Sequence, residues 1–427
     1  MYFYHARLFE NMLMLSELNK YKVVDEKGGK APLADLAIEL LADTDYPPVT
    51  SLFYYTPDRQ TAAIKWQDIR DVNLTRKQIL VSDLNNAKIP ADDLSKEILL
   101  KRDIQDSIIL DLQNRRATRA NDLWLDSVEK KLVLRGADVG MRAILRRISG
   151  GRFAKPRENQ MYDWRYIEFL RGNAGAVKNG AGYHLRVTRL SPGEIAGLID
   201  AIPYLHAAEL IVLLPDELAS SVLEVVVPEK QLQILEELDE AQALKLVSFL
   251  APESVANIAR RLVPERTKKL LESLPKLQSQ KVIELLRYPE GTVGSIMTNE
   301  VVFAPSELTV ADFRNSLFER LNIPNFVYFI YTVTDDESRR LNGVLSLRRL
   351  VTAKPEEKLS DVADSYVSFL HPLEPASTAA FRVIDSHLAA MPVVNEEGKL
   401  IGALTIDAAV SVVAPRAWRD LAPRIFS

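Results

Sequence analysis

Four carboxylates crowd into five consecutive positions near the middle of the chain, at Glu236, Glu237, Asp239 and Glu240. Carboxylate oxygens are the ligands that hard divalent cations such as Mg²⁺ prefer. Like charges held this close repel one another until a cation neutralises them, so metal binding can shift the balance between two arrangements of the chain. The group lies at a boundary between two predicted helices and is a candidate divalent-cation site, with helix-end electrostatics as the alternative explanation.

Other acids in the same region have a simpler explanation. Each lies just after a proline that begins a predicted helix, where the positive end of the helix dipole favours a negative charge. They include Asp216, Glu217, Glu229 and Glu253. Glu229 is retained as a candidate ligand beside the group of four, and helix-end electrostatics remains the alternative explanation for it.

A run of cations without an intervening acid lies further upstream, at Arg142, Arg146, Arg147, Arg152, Lys155 and Arg157. One interpretation is a binding segment for an anionic partner such as lipid head groups or RNA. The other is a helix with a solvated basic face that leads into a flexible loop at Gly150-Gly151. The formal net charge of −4 argues against general nucleic-acid binding.

The composition gives no indication of catalysis or of a membrane span. The 427 residues include no cysteine, and the five histidines are scattered without the spacing of a zinc site. The sequence has no Walker-type phosphate loop and no nucleophile elbow, so we expect no enzymatic activity. No apolar run approaches the roughly 20 residues that a bilayer requires. We therefore expect a cytoplasmic protein of several domains.

The acidic group belongs to a stretch that repeats every 24 residues. Apolar residues mark the period and the half-period: Leu190, Leu214, Leu238, Leu262 and Leu286, with Ile202, Val226, Leu250 and Leu274. Prolines follow the half-period positions by one or two residues, and proline suits the first turn of a helix but not its interior. The period predicts a solenoid of short helix pairs that are stable only when stacked.

The upstream part of the chain contains a weaker repeat, in which short predicted strands return after an offset that grows from about 87 to 98 residues. The matched pairs are Val24-Asp25 with Leu110-Asp111, and Asp35-Leu36 with Asp122-Leu123. Together with the segments from Ile64 to Ile69 and from Gly136 to Arg147, these residues resemble the PRC-barrel, a small β-barrel that its family uses for docking. The resemblance implies two barrels, at residues 1–92 and 93–188, that bind other proteins.

The downstream part contains two similar α/β halves, each with the predicted order strand, helix, strand, strand, helix. Gly343-Val344-Leu345-Ser346 in the first half is matched by Gly402-Ala403-Leu404-Thr405 in the second. A junction, Tyr288-Pro289-Glu290-Gly291-Thr292-Val293-Gly294, joins them to the solenoid. This order of helical repeats, junction and two cystathionine β-synthase (CBS) motifs resembles the cytosolic region of the MgtE magnesium channel family, over residues 190 to about 415.

The second resemblance implies a superhelical N domain at residues 189–287 and a dimerising CBS pair at residues 288–351 and 352–415, before a tail at residues 416–427. It also implies Mg²⁺ held by acids between the domains. Asp385 and Asp407 thereby join the solenoid acids as candidate ligands. Three positions that are acidic in the family are Gly291, Asn395 and Ala408 here, so the resemblance does not supply the family's full ligand set.

Some members of this family bind adenine nucleotide in the CBS clefts, through a Gly-x-x-Ser/Thr-x-x-Asp pattern that supplies a hydroxyl and a ribose-binding carboxylate. The candidate nucleotide contacts here are Ser346, Arg348 and Thr405. Arg349 and Ala408 occupy the two carboxylate positions. Because a ribose hydroxyl left without its acceptor costs about 1 to 3 kcal/mol, we expect adenine nucleotide to bind weakly or not at all.

The sequence thus predicts a multidomain α+β protein with two PRC-like barrels, an α-helical solenoid and a CBS pair, homodimeric through that pair. The predicted function is regulatory: the chain senses Mg²⁺ and acts on a separate membrane metal-ion transporter that docks on the barrels. The alternative is a ligand-free scaffold that holds protein partners. A tether to anionic lipid or RNA through Arg142 to Arg157 is a third hypothesis.

Overall fold

The computed structural model describes residues 13–414 except 19, 41–43, 74–75, 85–97, 129–130, 150–155, 171–185, 321–326 and 328. The predicted tail at residues 416–427 and the predicted boundary at residues 92 and 93 lie outside this described part. The chain divides into two compact units, Met1–Gln242 and Ala243–Ser427. No described helix combines the length and the apolar character that a membrane crossing requires.

The first half of the β-rich region forms one large sheet. Its strands are β2 (Lys22–Asp25), β3 (Lys30–Ile38), β4 (Val49–Tyr55), β5 (Thr61–Lys65), β6 (Ile69–Asn73), β7 (Gln78–Val81) and β8 (Ile98–Leu99). The order is β5-β4-β3-β2-β7-β6, with β8 beside β3, and among the described pairs of this sheet only β2 and β7 are parallel. The strands predicted here are confirmed.

The second half of the β-rich region forms two smaller sheets, with the strand orders β1-β11-β12-β13 and β10-β9-β14. The strands are β1 (Leu13–Met14), β9 (Ile108–Asp111), β10 (Arg116–Arg119), β11 (Asp122–Val128), β12 (Lys131–Asp138), β13 (Met161–Asp163) and β14 (Ile167–Leu170). Buried residues of both halves pack in one hydrophobic core. The described strands form no closed barrel, and the PRC-barrel resemblance stays a prediction.

The two halves exchange their first segments. β1 and the helical turn α1 (Leu15–Leu18), which open the first half, lie in the second half, where β1 pairs with β11. β8 and a π-helical turn at Leu100–Ile104, which open the second half, lie in the first half beside β3. The halves that the sequence predicts as two barrels are therefore interlocked through their backbones.

A buried aspartate anchors each exchanged segment. Asp122 accepts hydrogen bonds from the backbone N–H of Ser16 at 3.1 Å and from its hydroxyl at 2.6 Å. Asp35 accepts hydrogen bonds from the backbone N–H groups of Lys101 at 2.9 Å and Arg102 at 3.1 Å. These are the two aspartates that the sequence repeat matches with each other, so the repeat is confirmed by equivalent contacts.

The 24-residue period forms eight described helices of 8 to 11 residues. They are α3 (Pro192–Ala201), α4 (Tyr204–Leu213), α5 (Asp216–Val225), α6 (Pro228–Glu237), α7 (Glu240–Ser248), α8 (Pro252–Ala259), α9 (Pro264–Ser273) and α10 (Lys276–Leu286). Apolar residues of the period stand directly after helices, as Ile202, Leu214 and Val226 do. In the first unit α3 packs on α5 and α4 on α6, and in the second unit α8 packs on α10. The predicted short helices are confirmed, and so is their packing within each unit.

The CBS pair forms from two halves joined by a buried cluster around Tyr331, Val333, Ala390 and Ala403. The first half has β15 (Val302–Pro305), α12 (Val310–Arg320), β16 (Phe329–Val333), β17 (Leu341–Ser346) and α13 (Leu347–Thr352). The second has α14 (Leu359–Val362), which packs on β17 of the first half, then α15 (Ala376–Asp385), β18 (Ala390–Val394), β19 (Leu400–Thr405) and α16 (Ile406–Val413). The predicted first strand of this half is reduced to a parallel bridge between Leu370 and Val393.

Candidate metal and nucleotide sites

The acidic group of the solenoid lies where α6 ends and α7 begins. Glu236 and Glu237 are the last two residues of α6, and Glu240 is the first residue of α7. Asp239 lies between the helices and accepts a hydrogen bond from the backbone N–H of Gln242 at 2.8 Å. All four side chains are exposed.

Helix-end electrostatics accounts for only part of this group. Asp239 caps the amino end of α7, and Glu240 lies in the first turn, where a negative charge is favoured. Glu236 and Glu237 lie at the carboxyl end of α6, where the partial negative charge of the helix disfavours them. These two glutamates have no explanation in the helix ends.

The remaining candidate metal ligands are also exposed. Glu229 is the second residue of α6, which is the position that helix-end electrostatics favours. Asp385 ends α15 and Asp407 lies in the first turn of α16. Ala390 pairs with Thr405, and the N–H of Ile406 donates to the carbonyl oxygen of Ala389 at 2.8 Å, so both aspartates lie at one end of this hairpin.

No group of three or more histidine or acidic side chains within the described ranges has an arrangement that could hold a metal ion by itself. The described acids thus form no complete metal site, and the metal-binding role of the candidates named above stays a prediction. Mg²⁺ commonly binds through one or two carboxylates and keeps several of its waters, so a site for this ion does not require a group of three side chains.

A cleft of about 190 Å³ lies in the CBS pair beside the end of β17. Its apolar walls include Val344, Leu388, Ala390 and Pro392. Its polar and aromatic lining comprises Ser346, Arg349, Asp364, Tyr366 and Ser368. The cleft thus combines apolar walls with a hydroxyl, a cation and a carboxylate, which is the donor and acceptor set that a nucleoside phosphate requires.

Gly343 allows the chain after α14 to approach β17 closely. A Cβ atom on Gly343 would lie 3.0 Å from the carbonyl oxygen of Asp364 and 2.9 Å from the Oγ1 of Thr332. Val344 and Asp364 exchange two backbone hydrogen bonds of 2.9 Å. This contact places Asp364 beside the strand that ends at Ser346.

Of the three predicted nucleotide contacts, Ser346, Arg348 and Thr405, only Ser346 belongs to the lining of the cleft. Ser346 lines the cleft, and its hydroxyl accepts the N–H of Arg349 at 3.3 Å. Arg349, and not Arg348, is the arginine in the lining. Thr405 caps α16 by accepting the N–H of Ala408 at 3.2 Å and lies outside this lining.

Sequence reasoning missed Asp364 and Tyr366. The N–H of Tyr366 donates to a carboxylate oxygen of Asp364 at 3.1 Å, and the Tyr366 side chain is 98% exposed. Asp364 lies 18 residues beyond Ser346, so the family's short spacing pattern does not include it. The feature of the sequence that could have pointed to Asp364 is Gly343, because a glycine within a strand can mark a close approach of another backbone segment.

Comparison with known families and proteins gives a consistent result for the downstream part of the chain. Residues 190–291 match the MgtE intracellular N domain, and residues 359–414 match the CBS domain. The magnesium transporter MgtE of Thermus thermophilus is 33% identical over 137 residues, which are 32% of this chain and 30% of that protein. MgtE of Bacillus subtilis is 33% identical over 136 residues. The chain therefore spans about a third of the length of these relatives.

One solved structure has a similar fold over more than half of the chain. The cytosolic domain of the Mg²⁺ channel MgtE in complex with ATP is 28% identical, with a TM-score of 0.51. The similarity covers 56% of this chain and 97% of that domain. The soluble part of a magnesium transporter is 22% identical over 53% of this chain, with a TM-score of 0.48.

Proposed function

We propose, from the homology of this chain to the MgtE cytosolic region, that it is a cytoplasmic regulatory protein that senses Mg²⁺. It would act on a separate membrane metal-ion transporter, which docks on the β-rich region. The relatives support the link to magnesium transport, because they are magnesium transporters that share the helical array or the CBS pair.

The observation that carries the proposal is the pair Glu236 and Glu237 at the carboxyl end of α6. Two adjacent exposed carboxylates at the carboxyl end of a helix add to the negative potential there, and that potential attracts a cation. Two carboxylates with bound waters suit Mg²⁺, and the neighbouring Asp239 and Glu240 add to the negative potential.

Calorimetric titration of the full chain with MgCl₂ tests this proposal. We expect a binding heat that weakens about tenfold or more in Glu236→Gln/Glu237→Gln, since the variant removes both candidate ligand carboxylates. Asp216→Asn/Glu217→Asn is the matched control, because it removes an adjacent exposed pair from the favourable end of α5. A flat trace for the unmodified chain would overturn metal sensing and favour the ligand-free scaffold.

The transporter partner needs a separate test. Crosslinked pull-down from native membranes, in chelator and in Mg²⁺, should recover a metal-ion transporter with the full chain. If no transporter is recovered at any magnesium concentration, the coupling to transport fails even where the calorimetric result supports sensing.

We also propose that the CBS cleft binds an adenine nucleotide, in contrast to the expectation from the short spacing pattern. Asp364 lines the cleft and supplies a carboxylate where the short pattern has Arg349, so it would accept the ribose hydroxyls. Arg349 supplies a guanidinium for phosphate, and Val344, Ala390 and Pro392 supply apolar walls for the base. The MgtE cytosolic domain solved with ATP supports the same ligand class.

Titration with ATP, ADP and AMP tests the nucleotide proposal. Asp364→Asn should weaken binding by about tenfold to a hundredfold, since removing one charged hydrogen-bond acceptor costs about 1.5 to 3 kcal/mol. Thr405→Ala, which removes the equivalent hydroxyl of the second half, should leave the affinity unchanged. Absence of binding to the unmodified chain would restore the original expectation.

A further inference from the structure

Helix α2 (Met141–Ile148) turns a charged side chain towards the protein interior and an apolar face towards solvent. Its inward side chains include Ala143 and Arg146, which are both buried. The Arg146 guanidinium forms ion pairs with Asp122 at 2.9 Å and Asp138 at 2.7 Å, and both carboxylates are buried. These contacts fix the helix on β11 and β12 through a charge cluster.

The outward face of α2 is apolar. Met141, Leu145 and Ile148 are 74%, 57% and 80% exposed. Their spacing of four and three residues places them on one face of the helix. A surface helix of a soluble protein normally turns its apolar face towards the core. The three long aliphatic side chains of α2 instead form a ridge that is exposed to water. Such an exposed apolar ridge indicates a surface that a membrane or another molecule covers.

Exposed cations lie beside this ridge. Arg142 is on α2 itself. The backbone carbonyl of Arg157 accepts the N–H of Gln160 at 2.9 Å, and the carbonyl of Gln160 accepts the N–H of Val139 at 3.0 Å. The turn that begins at Arg157 therefore lies next to the start of α2, and Arg157 is exposed.

The acids near the ridge are few. Helix α2 contains none. Asp106 is paired with Arg147 at 2.6 Å, and Glu158 is the exposed acid in the neighbouring turn. The predicted cations Arg152 and Lys155 lie outside the described residues and are not part of the site.

We propose that α2 rests on an anionic lipid surface, with Met141, Leu145 and Ile148 inserted at the interface and Arg142 and Arg157 on lipid phosphates. Two observations favour a membrane. The three exposed side chains Met141, Leu145 and Ile148 are long and aliphatic, and the exposed charges beside them are those of Arg142 and Arg157, with Glu158 as the exposed acid, on a chain of net charge −4. A short apolar helix face flanked by arginines is the combination that interfacial helices use. This site is independent of the proposed metal and nucleotide functions.

Flotation of the full chain with phospholipid vesicles tests the site. We expect binding to vesicles of equal parts phosphatidylglycerol and phosphatidylcholine, little binding to phosphatidylcholine alone, and a loss of binding with added salt. Met141→Ser/Leu145→Ser/Ile148→Ser should lower the bound fraction by about tenfold. Arg142→Gln/Arg157→Gln should lower it and flatten the salt dependence. Val263→Ser/Leu277→Ser, which removes two comparably exposed apolar residues elsewhere, should have no effect.

The outcomes distinguish a lipid surface from a second copy of the chain as the binding partner of the ridge. Equal binding to both vesicle types, or vesicle binding that the triple variant leaves intact, would overturn the proposal. A triple variant that dissociates a self-assembled species in sedimentation velocity, with no vesicle binding by the unmodified chain, would assign the ridge to a second copy instead. The triple variant leaves Ala143 and Arg146 in place, and circular dichroism melting verifies that it is folded.

Discussion

At the residue scale, Arg146 shows how burial decides the role of a charge. It belongs to a basic run that is consistent with a binding segment or with a solvated helix face. The side chain is 2% exposed, between Asp122 and Asp138. Neither interpretation therefore holds for this residue, because its charge is used inside the protein.

Replacement of Arg146 should be strongly destabilising. Arg146→Leu leaves two carboxylates buried without their cation, and breaking a buried pair in this way costs about 3 to 5 kcal/mol. Denaturant unfolding followed by circular dichroism should show this loss in the transition of the β-rich region. Arg142→Leu, on the exposed side of the same helix, should change stability by less than about 0.5 kcal/mol; equal effects of the two substitutions would contradict the structure.

Glu168 is a second residue whose environment sets its behaviour. It is 4% exposed on β14, and one carboxylate oxygen accepts the N–H of Arg186 at 3.0 Å. Burial raises the pKa of Glu168 to about 8, and hydrogen bonds from the Arg186 and Val187 backbones oppose that rise. The carboxyl therefore remains protonated in the folded chain at pH values where the unfolded chain releases the proton.

This shift predicts the sign of a pH effect. Between the unfolded pKa near 4.5 and the folded pKa of about 8, the folded chain holds more protons, so stability falls as pH rises through that window. Glu168→Gln keeps an acceptor oxygen and removes the titration. The melting temperature of the unmodified chain should therefore decline relative to the variant from pH 5 to pH 8. Parallel curves would show that Glu168 does not titrate in this range.

At the element scale, the exchange of first segments makes each half of the β-rich region depend on the other. β1 occupies the edge of β11, where Leu13 lies opposite Leu125. Ser16 satisfies both oxygens of the buried Asp122. Without this segment the second half has an open strand edge and a less satisfied buried acid.

Deletion of residues 1–18 should consequently disturb a distant part of the sequence. We expect amide hydrogen exchange to accelerate in β11, more than 100 residues downstream of the deletion, because the hydrogen bonds with β1 are lost. The strands β4 and β5, which do not contact β1 in the sheet, should keep their protection. Faster exchange confined to the first half would argue against the exchanged arrangement.

At the scale of the whole molecule, the CBS pair carries the apolar surface that a dimer would bury. Val351 on α13, Phe381 on α15 and Val410 on α16 are all exposed. α15 and α16 pack on each other, so Phe381 and Val410 belong to neighbouring helices. Exposed apolar residues on packed helices are typical of an interface between subunits.

We therefore predict that the chain is a homodimer through this surface. Phe381→Glu/Val410→Glu should convert the dimer to a monomer in sedimentation velocity, because the substitutions place two charges in the apolar contact. Leu277→Glu, at an exposed position of α10, is the control and should stay dimeric. A monomeric unmodified chain at micromolar concentration would refute the prediction.

The sequence by itself determined the helix and strand boundaries where the signal is local. The 24-residue period and its prolines located the ends of α3 to α10, because a helix boundary depends on the residues within one turn of it. The glycine and hydroxyl pattern located β17 and β19, and Ser346, the nucleotide contact that it predicts in the first half, lines the cleft.

Only the tertiary structure decided which distant residues meet. Asp364 enters the cleft through a backbone bridge to Val344, Arg146 reaches Asp122 across 24 positions, and Ser16 reaches Asp122 across 106. Hydrogen bonds and ion pairs of this kind follow from the packing of the sheets and not from local spacing. For that reason the elements could be predicted from the sequence, whereas the exchanged strands and the cleft carboxylate could not.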